Sequence, residues 1–121
     1  MPTQSPAWAS LLAMLLLAGG VRPGLAQNQQ PPPPPPGINC ETPKTSSERT
    51  VCRTAKLAKW ETDRHDVFKR VWDGATDNQR AQMRRQHDAW DVRRNACAVD
   101  RVCLSRIYTE RLGELQRGQR R

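Results

Sequence analysis

Tyrosine and phenylalanine occur once each in this 121-residue chain, histidine twice, and the remaining aromatic side chains are four tryptophans. So sparse a set interleaves base-stacking rings with basic residues only weakly, and recognition of nucleic acid is not expected. No glycine-rich phosphate loop and no G-x-S-x-G elbow occur, which removes common nucleotide-binding and hydrolase signatures. No run combines β-branched residues with period-two alternation, so no strand is expected. His65 lies near Asp63 and Asp66, and His87 beside Asp88. Such pairs can act as general bases, but no activated nucleophile accompanies them. Both histidines read as solvated residues on helix faces. Neither enzymatic activity nor a cofactor is expected.

Long apolar runs are also scarce. The one candidate is Leu11–Ala18, followed by Gly19, Gly20 and Pro23. It is short for a membrane span and has the length of a signal-peptide core. Gly24, Leu25 and Ala26 supply small residues around a cleavage point, so residues 1–26 read as a signal peptide. The segment before the run carries no Lys or Arg, and an uncleaved anchor is the competing reading. Residues 27–37, QNQQPPPPPPG, read as a linker. Consecutive prolines lack backbone donors and favour an extended polyproline II rod. The rod reads as a spacer in preference to a ligand for a proline-recognising groove.

What is present in quantity is positive charge and a paired set of cysteines. Twenty Lys and Arg stand against twelve Asp and Glu, a net charge of +8. Loss of Arg22 with residues 1–26 leaves 19 basic against 12 acidic side chains, or +7. Residues 38–121 are long enough for one small domain with a modest core, which covalent staples would support. Cys40, Cys52, Cys97 and Cys103 lie here at spacings C-x11-C and C-x5-C. An even count in an exported chain argues for two disulfides, and a zinc site is the weaker alternative because the spacings are not C-x2-C knuckles.

Helical spacing dominates this region, and the fold class expected is all-α: a helical hairpin plus a C-terminal helix, stapled by two disulfides. Ser46 or Ser47 caps a short turn carrying Val51 and Cys52. Thr54 opens a longer helix, Ala55 to about Asp73, with Leu57, Trp60, Val67, Phe68, Val71 and Trp72 at steps of three and four. Gly74 ends it, and Thr76 with Gln79 forms a capping box for a helix reaching about Ala96. Its inward face is read as Met83, Gln86 or His87, Trp90, Arg94 and Cys97. Asp100 caps the last helix, with apolar positions Val102, Leu104, Ile107, Tyr108, Leu112 and Leu115 and a stop at Gly118. The expected core is Leu57, Trp60, Phe68, Trp90, Leu104, Tyr108 and Leu112. Sequence alone leaves three cysteine pairings open. If the hairpin turns near Ala75, Cys52 and Cys97 fall side by side, which favours Cys52–Cys97 with Cys40–Cys103 over the local pairs Cys40–Cys52 and Cys97–Cys103.

Three pieces in order resemble the lysozyme inhibitor LprI-like family of small exported bacterial domains. They are Cys40, Glu48, Val51-Cys52, Leu57, Trp60-Glu61 and Phe68; then Gln86 and Trp90-x3-Arg94-Asn95-Ala96-Cys97; then Cys103-Leu104, Tyr108, Arg111-Leu112 and Glu114-Leu115. Glu61, Phe68 and Asn95 stand where the family more often has Asp, Tyr and Asp. The resemblance implies a periplasmic or secreted protein that binds and inhibits a lysozyme-type hydrolase. An inhibitor must compete with sugar in a cleft holding two carboxylates. Arginine suits that task through paired hydrogen bonds, so Arg94 and Arg111, on the best-matched segments, are the candidate contacts, each with a structural reading beside it. The alternative is a non-inhibitory envelope module whose basic surface contacts anionic cell-surface components. The net charge favours this alternative against basic lysozymes.

The leader reading has a direct check. Mass spectrometry of the exported protein is expected to find a mature chain beginning at Gln27; an intact Met1 in a cytosolic fraction contradicts it.

Overall fold

The computed structural model describes residues 30–120, so the leader expected at 1–26 and the first residues of the linker lie outside the described residues. Four helices occur, with no strand among the described residues: α1 (Ser46–Arg53), α2 (Ala55–Asp73), α3 (Asp77–Ala96) and α4 (Arg101–Gln119). Their ends follow local chemistry. Thr45 caps α1 in a reciprocal box with Glu48, one residue earlier than the serines expected for it. Thr76 and Gln79 form the same box at α3. The Asp100 carboxylate accepts from the backbone N–H groups of Val102 and Cys103 at the start of α4. Each cap satisfies helix N–H groups that have no partner within the helix. Thr54 opens α2 without a side-chain cap; its hydroxyl donates to the Thr50 carbonyl instead. Its extended backbone, φ −111° and ψ 107°, breaks α1 from α2.

Side-chain pairs give the topology. Phe68 meets His87, and the Arg64 guanidinium lies over the Trp90 ring, so α2 and α3 run antiparallel. Trp90 meets Tyr108, and Cys97 at the end of α3 is bonded to Cys103 at the start of α4, so α4 turns back along α3. Glu61 faces Tyr108, and Val67, Phe68 and Trp72 cluster with Leu115, so α4 runs parallel to α2 and packs closely on it.

The core has two apolar parts. Val51, Leu57, Trp90, Cys97, Leu104, Ile107 and Tyr108 form one, at the end where α1 joins. Val67, Phe68, Trp72 and Leu115 form the other, near the α2–α3 turn. Burying each large apolar side chain is worth about 1.5–3 kcal/mol. Of the expected core, Leu57, Phe68, Trp90, Leu104 and Tyr108 are buried, whereas Trp60 and Leu112 are half-buried at its edge. Val102 is 79% exposed, outside the stripe expected for it. Polar side chains take places in the same stripes: Ser47, Glu61, Arg64, His87, Arg94 and Arg111 are all buried.

The cysteine pairing differs from the nested arrangement. Cys40 bonds to Cys52 and Cys97 to Cys103, with Cα atoms 5.6 and 5.5 Å apart, and no cysteine is free. The pairing argument carried the α2 register back across Thr54 to Cys52, although Cys52 stands on its own short turn, and placed the hairpin turn two residues too early. The Phe68–His87 and Arg64–Trp90 levels put Cys97 opposite Leu57, with which it shares a core cluster. The break at Thr54 sets Cys52 on a separate helix, facing the turn at Asn39–Thr42 that carries Cys40. At the other corner, Cys97 caps α3 and Cys103 sits in the first turn of α4. Ala98, between them, takes a left-handed φ of 50°, a conformation that costs a non-glycine residue about 1–2 kcal/mol. The bonds therefore brace corners and do not bridge distant segments.

The proline run is part of this unit from Pro32 onward. The Trp72 indole donates to the Pro32 carbonyl at 2.8 Å, Pro35 is buried, and the Ile38 N–H reaches Glu61 Oε1 at 3.4 Å. The expected spacer at 27–37 is thus, over 32–37, a strap held against α2.

Non-reducing tryptic mapping is expected to yield a Cys97–Cys103 peptide pair and a Cys40–Cys52 pair; a Cys52–Cys97 peptide contradicts this fold. Each short loop contributes about 2–3 kcal/mol by the chain-entropy account.

Candidate binding site

Between the two apolar clusters lies a layer of buried charge, and its geometry decides which polar residues are available for function. Glu61, 7% exposed, accepts from Arg64 Nε at 3.1 Å, from Arg64 Nη2 at 2.6 Å and from the Tyr108 hydroxyl at 2.6 Å. Burial acts to raise the Glu61 pKa; the Arg64 and Tyr108 contacts, helped by Arg94, outweigh it and hold the carboxyl below the ordinary range. For Tyr108, burial and the adjacent Glu61 carboxylate both push the phenol far above its usual value, so it stays a donor. Arg64 Nη1 has no hydrogen-bond partner, but the guanidinium carbon lies 4.9 Å from the Trp90 ring centre. The π face takes part of the charge that water would otherwise solvate.

Arg94 belongs to this layer's outer edge. It is 5% exposed and lies 5.3 Å from the Trp90 ring centre. Its Nη1 is 3.0 Å from Asp91 and its Nη2 is 4.0 Å from Glu48. It also donates to Asn95 Oδ1, which accepts the Thr45 and Ser47 hydroxyls of the α1 cap. Asp91 Oδ1 is close to Arg94 without hydrogen-bond alignment, so that contact is ionic. Burial acts to raise the Asp91 pKa, and His87 and Arg94 together bring it below the usual value. Arg94 thus joins α3 to α1 through its two Nη atoms, and its Nε, buried like that of Arg111, has no partner.

His87 is buried between Phe68 and Trp90 and faces Asp91 at 3.4 Å, not Asp88. Helical geometry explains the change of partner: position 91 lies one turn from 87 on the same face, whereas 88 points away. Among the described residues, no three His, Cys, Asp or Glu side chains gather as a metal site would require.

Arg111 is placed differently. It too is 5% exposed, and it pairs with Glu114 at 3.2 Å. Burial lowers its pKa, and Glu114 partly opposes that. Its Nε has no partner, and the side chain lines an open groove of about 930 Å³. Met83, Trp90 and Leu115 give this groove an apolar floor, and Arg70 and Arg93 are exposed at its rim. Arg93 donates to Glu110 across the α3–α4 surface, with 55% of its side chain exposed. Sequence reasoning did not single out Arg70 or Arg93. Both looked like ordinary solvated helix residues, and only the way α2, α3 and α4 meet brings them to one opening. Of the two candidate arginines, Arg94 is enclosed by acids and Arg111 forms part of a groove wall; the two do not share a site.

Comparison with known proteins yields no matching family model, no matching curated protein and no matching solved structure.

The charged layer fixes a pH dependence. Glu61 and Asp91 have depressed pKa values in the fold, so their contribution is present above their unfolded values, about 4.3 and 3.9, and is lost as pH falls through the lower folded values. Urea unfolding between pH 7 and pH 2 is expected to show stability falling below about pH 4. Glu61→Gln should cost about 3–5 kcal/mol near neutral pH, since it leaves Arg64 buried without its counter-charge, and should flatten the acid limb. An acid limb equal to wild type in this variant contradicts the assignment.

Proposed function

We propose that this chain is an exported protein-binding module, of the kind its resemblance to lysozyme inhibitors implies, and that it docks on a lysozyme-type cell-wall hydrolase through the α2–α3–α4 groove. Two disulfides fit an oxidising compartment outside the cytoplasm, and the periplasm or the exterior is the setting this function needs. The observation that carries the reading is the groove's lining: an apolar floor at Met83 and Leu115 bordered by the exposed guanidinium groups of Arg70 and Arg93, with Glu114 as its one acidic lining residue. Arginines around an apolar floor suit a target that presents carboxylates beside a hydrophobic surface. In this reading Arg111 shapes the wall and Arg94 serves the fold, while Arg70 and Arg93 make the contact.

The alternative keeps the same basic rim but assigns it to anionic envelope polymer. It is favoured by the net charge of +8, which is spread over the chain and repels basic lysozymes at long range. Salt separates the two, because polyanion binding collapses between low and moderate salt.

The test is a lytic assay with the mature protein, several lysozyme types and a peptidoglycan suspension. Slower lysis is expected, persisting at moderate salt. Arg70→Ala with Arg93→Ala should abolish the inhibition with an unchanged Tm. Arg94→Ala should lower stability by about 1.5–3 kcal/mol, as expected for loss of charged hydrogen bonds. If the wild-type protein slows no lysozyme at any salt concentration, the inhibitor reading fails and the envelope reading takes its place.

A further inference from the structure

The proline strap lies on α2 with a register that reads as recognition. Pro32, Pro35 and Ile38 are three residues apart, the repeat of a polyproline II helix, so they share one face of the rod. Each of them engages the domain: the Pro32 carbonyl accepts from Trp72, Pro35 is buried, and Ile38 packs on the apolar cluster while its N–H reaches Glu61. The lengths agree as well. From Pro32 to Ile38 a polyproline II rod advances ~19 Å at ~3.1 Å per residue. From Trp72 back to Glu61, α2 spans ~17 Å at ~1.5 Å per residue. The strap therefore runs antiparallel to α2 along the stripe Glu61, His65, Phe68 and Trp72. Gly37 lies over this stripe: a Cβ there would stand 3.4 Å from Glu61 Oε1 and 3.5 Å from His65.

An indole N–H aimed at a proline carbonyl, with the proline three residues on buried against the domain, is how aromatic grooves read proline-rich chains. The chain's own ligand leaves one feature of the site unused. Arg80 and Arg84 place their guanidinium carbons 5.9 and 5.6 Å from the Trp72 ring centre. Arg80 is engaged with the Trp72 and Asp73 carbonyls and with Asp77. Arg84 is exposed and has no acidic partner among the described residues. The residues ahead of the prolines, QNQQ, carry no charge.

We infer that the Trp72 face of α2 is a polyproline-recognition site, occupied by the chain's own strap and open to exchange with a proline-rich segment of another exported protein that carries acidic residues just before its prolines. The acid would pair with Arg84, an interaction the strap lacks. The tethered strap competes at an effective concentration of order millimolar, so the incoming segment binds in proportion to the fraction of open strap.

The experiment uses the mature chain and labelled peptides, with binding followed by anisotropy and by the Trp72 indole NMR resonance. The probes are QQPPPPPPGI, EEPPPPPPGI and EEGSGSGSGI. The first two are expected to move the Trp72 resonance at millimolar concentration in the wild-type chain. They should bind at least ten-fold tighter to Pro35→Asp, whose strap is loosened. At low salt the acidic proline peptide should bind roughly three- to ten-fold tighter than the neutral one, and Arg84→Gln should level the two. Trp72→Phe should weaken both. Should Pro35→Asp fail to fold, the wild-type resonance and the Arg84→Gln comparison still decide. The inference is overturned if neither proline peptide moves the Trp72 resonance, if EEGSGSGSGI binds as well as EEPPPPPPGI, or if Trp72→Phe binds them undiminished.

Discussion

One buried carboxylate joins more of this molecule than any other group. Glu61 sits on α2, takes two hydrogen bonds from Arg64 on the same helix, one from Tyr108 on α4, and one from the Ile38 backbone at the end of the strap. A carboxylate in an apolar setting is costly unless its oxygens are filled. Here four donors fill them, and they come from three parts of the chain. That requirement fixes the rotation of α2 and the height of α4 against it. The net stabilisation from such a buried pair is small, because desolvation offsets attraction. Its effect is on arrangement: a register shift of either helix would leave a charge unpaired.

The rest of the core is built around that layer. With one phenylalanine and one tyrosine, the chain builds its interior on tryptophan with arginine laid over it: Arg64 and Arg94 are buried at Trp90, while Arg80 and the exposed Arg84 cover Trp72 from outside. A guanidinium is flat and weakly hydrated, so it can cover a ring while its edge keeps hydrogen bonds. The disulfides complement this thin core at its corners, holding the Cys40 turn to α1 and the α3–α4 connection closed. Helix packing, and not a covalent bridge, keeps α2 beside α4.

Helix number, type and ends were legible in the sequence because they depend on nearby residues. Thr76 with Gln79, Asp100 and Gly74 acted within one turn of where they stand. The apolar part of each stripe was legible for the same reason. Three things depend on distant partners and were not. Glu61, Arg64 and Arg111 stand at core positions, but their burial requires each other, Tyr108 and Glu114. The cysteine pairing turned on the direction α1 takes beyond the break at Thr54, which faces Cys52 to the Cys40 turn and away from Cys97. The strap is held by Trp72 and Glu61, tens of residues away in sequence, and a proline run by itself reads as a rod without a dock. Of the site, Arg111 was identified as a candidate, whereas the Arg70 and Arg93 rim needed the three-helix arrangement to be seen.

The dependence on Glu61 is tested most directly by a double-mutant cycle with its partner on α4, using Glu61→Gln, Tyr108→Phe and both together in urea unfolding at neutral pH. If the carboxylate is the joint between α2 and α4, the two changes are strongly non-additive, with a coupling of about 1–3 kcal/mol, the upper part of the range for groups in one hydrogen-bond network. Additivity within about 0.5 kcal/mol, the behaviour of independent sites, would mean that α4 is held by apolar contact alone and that the buried carboxylate is not what sets the arrangement.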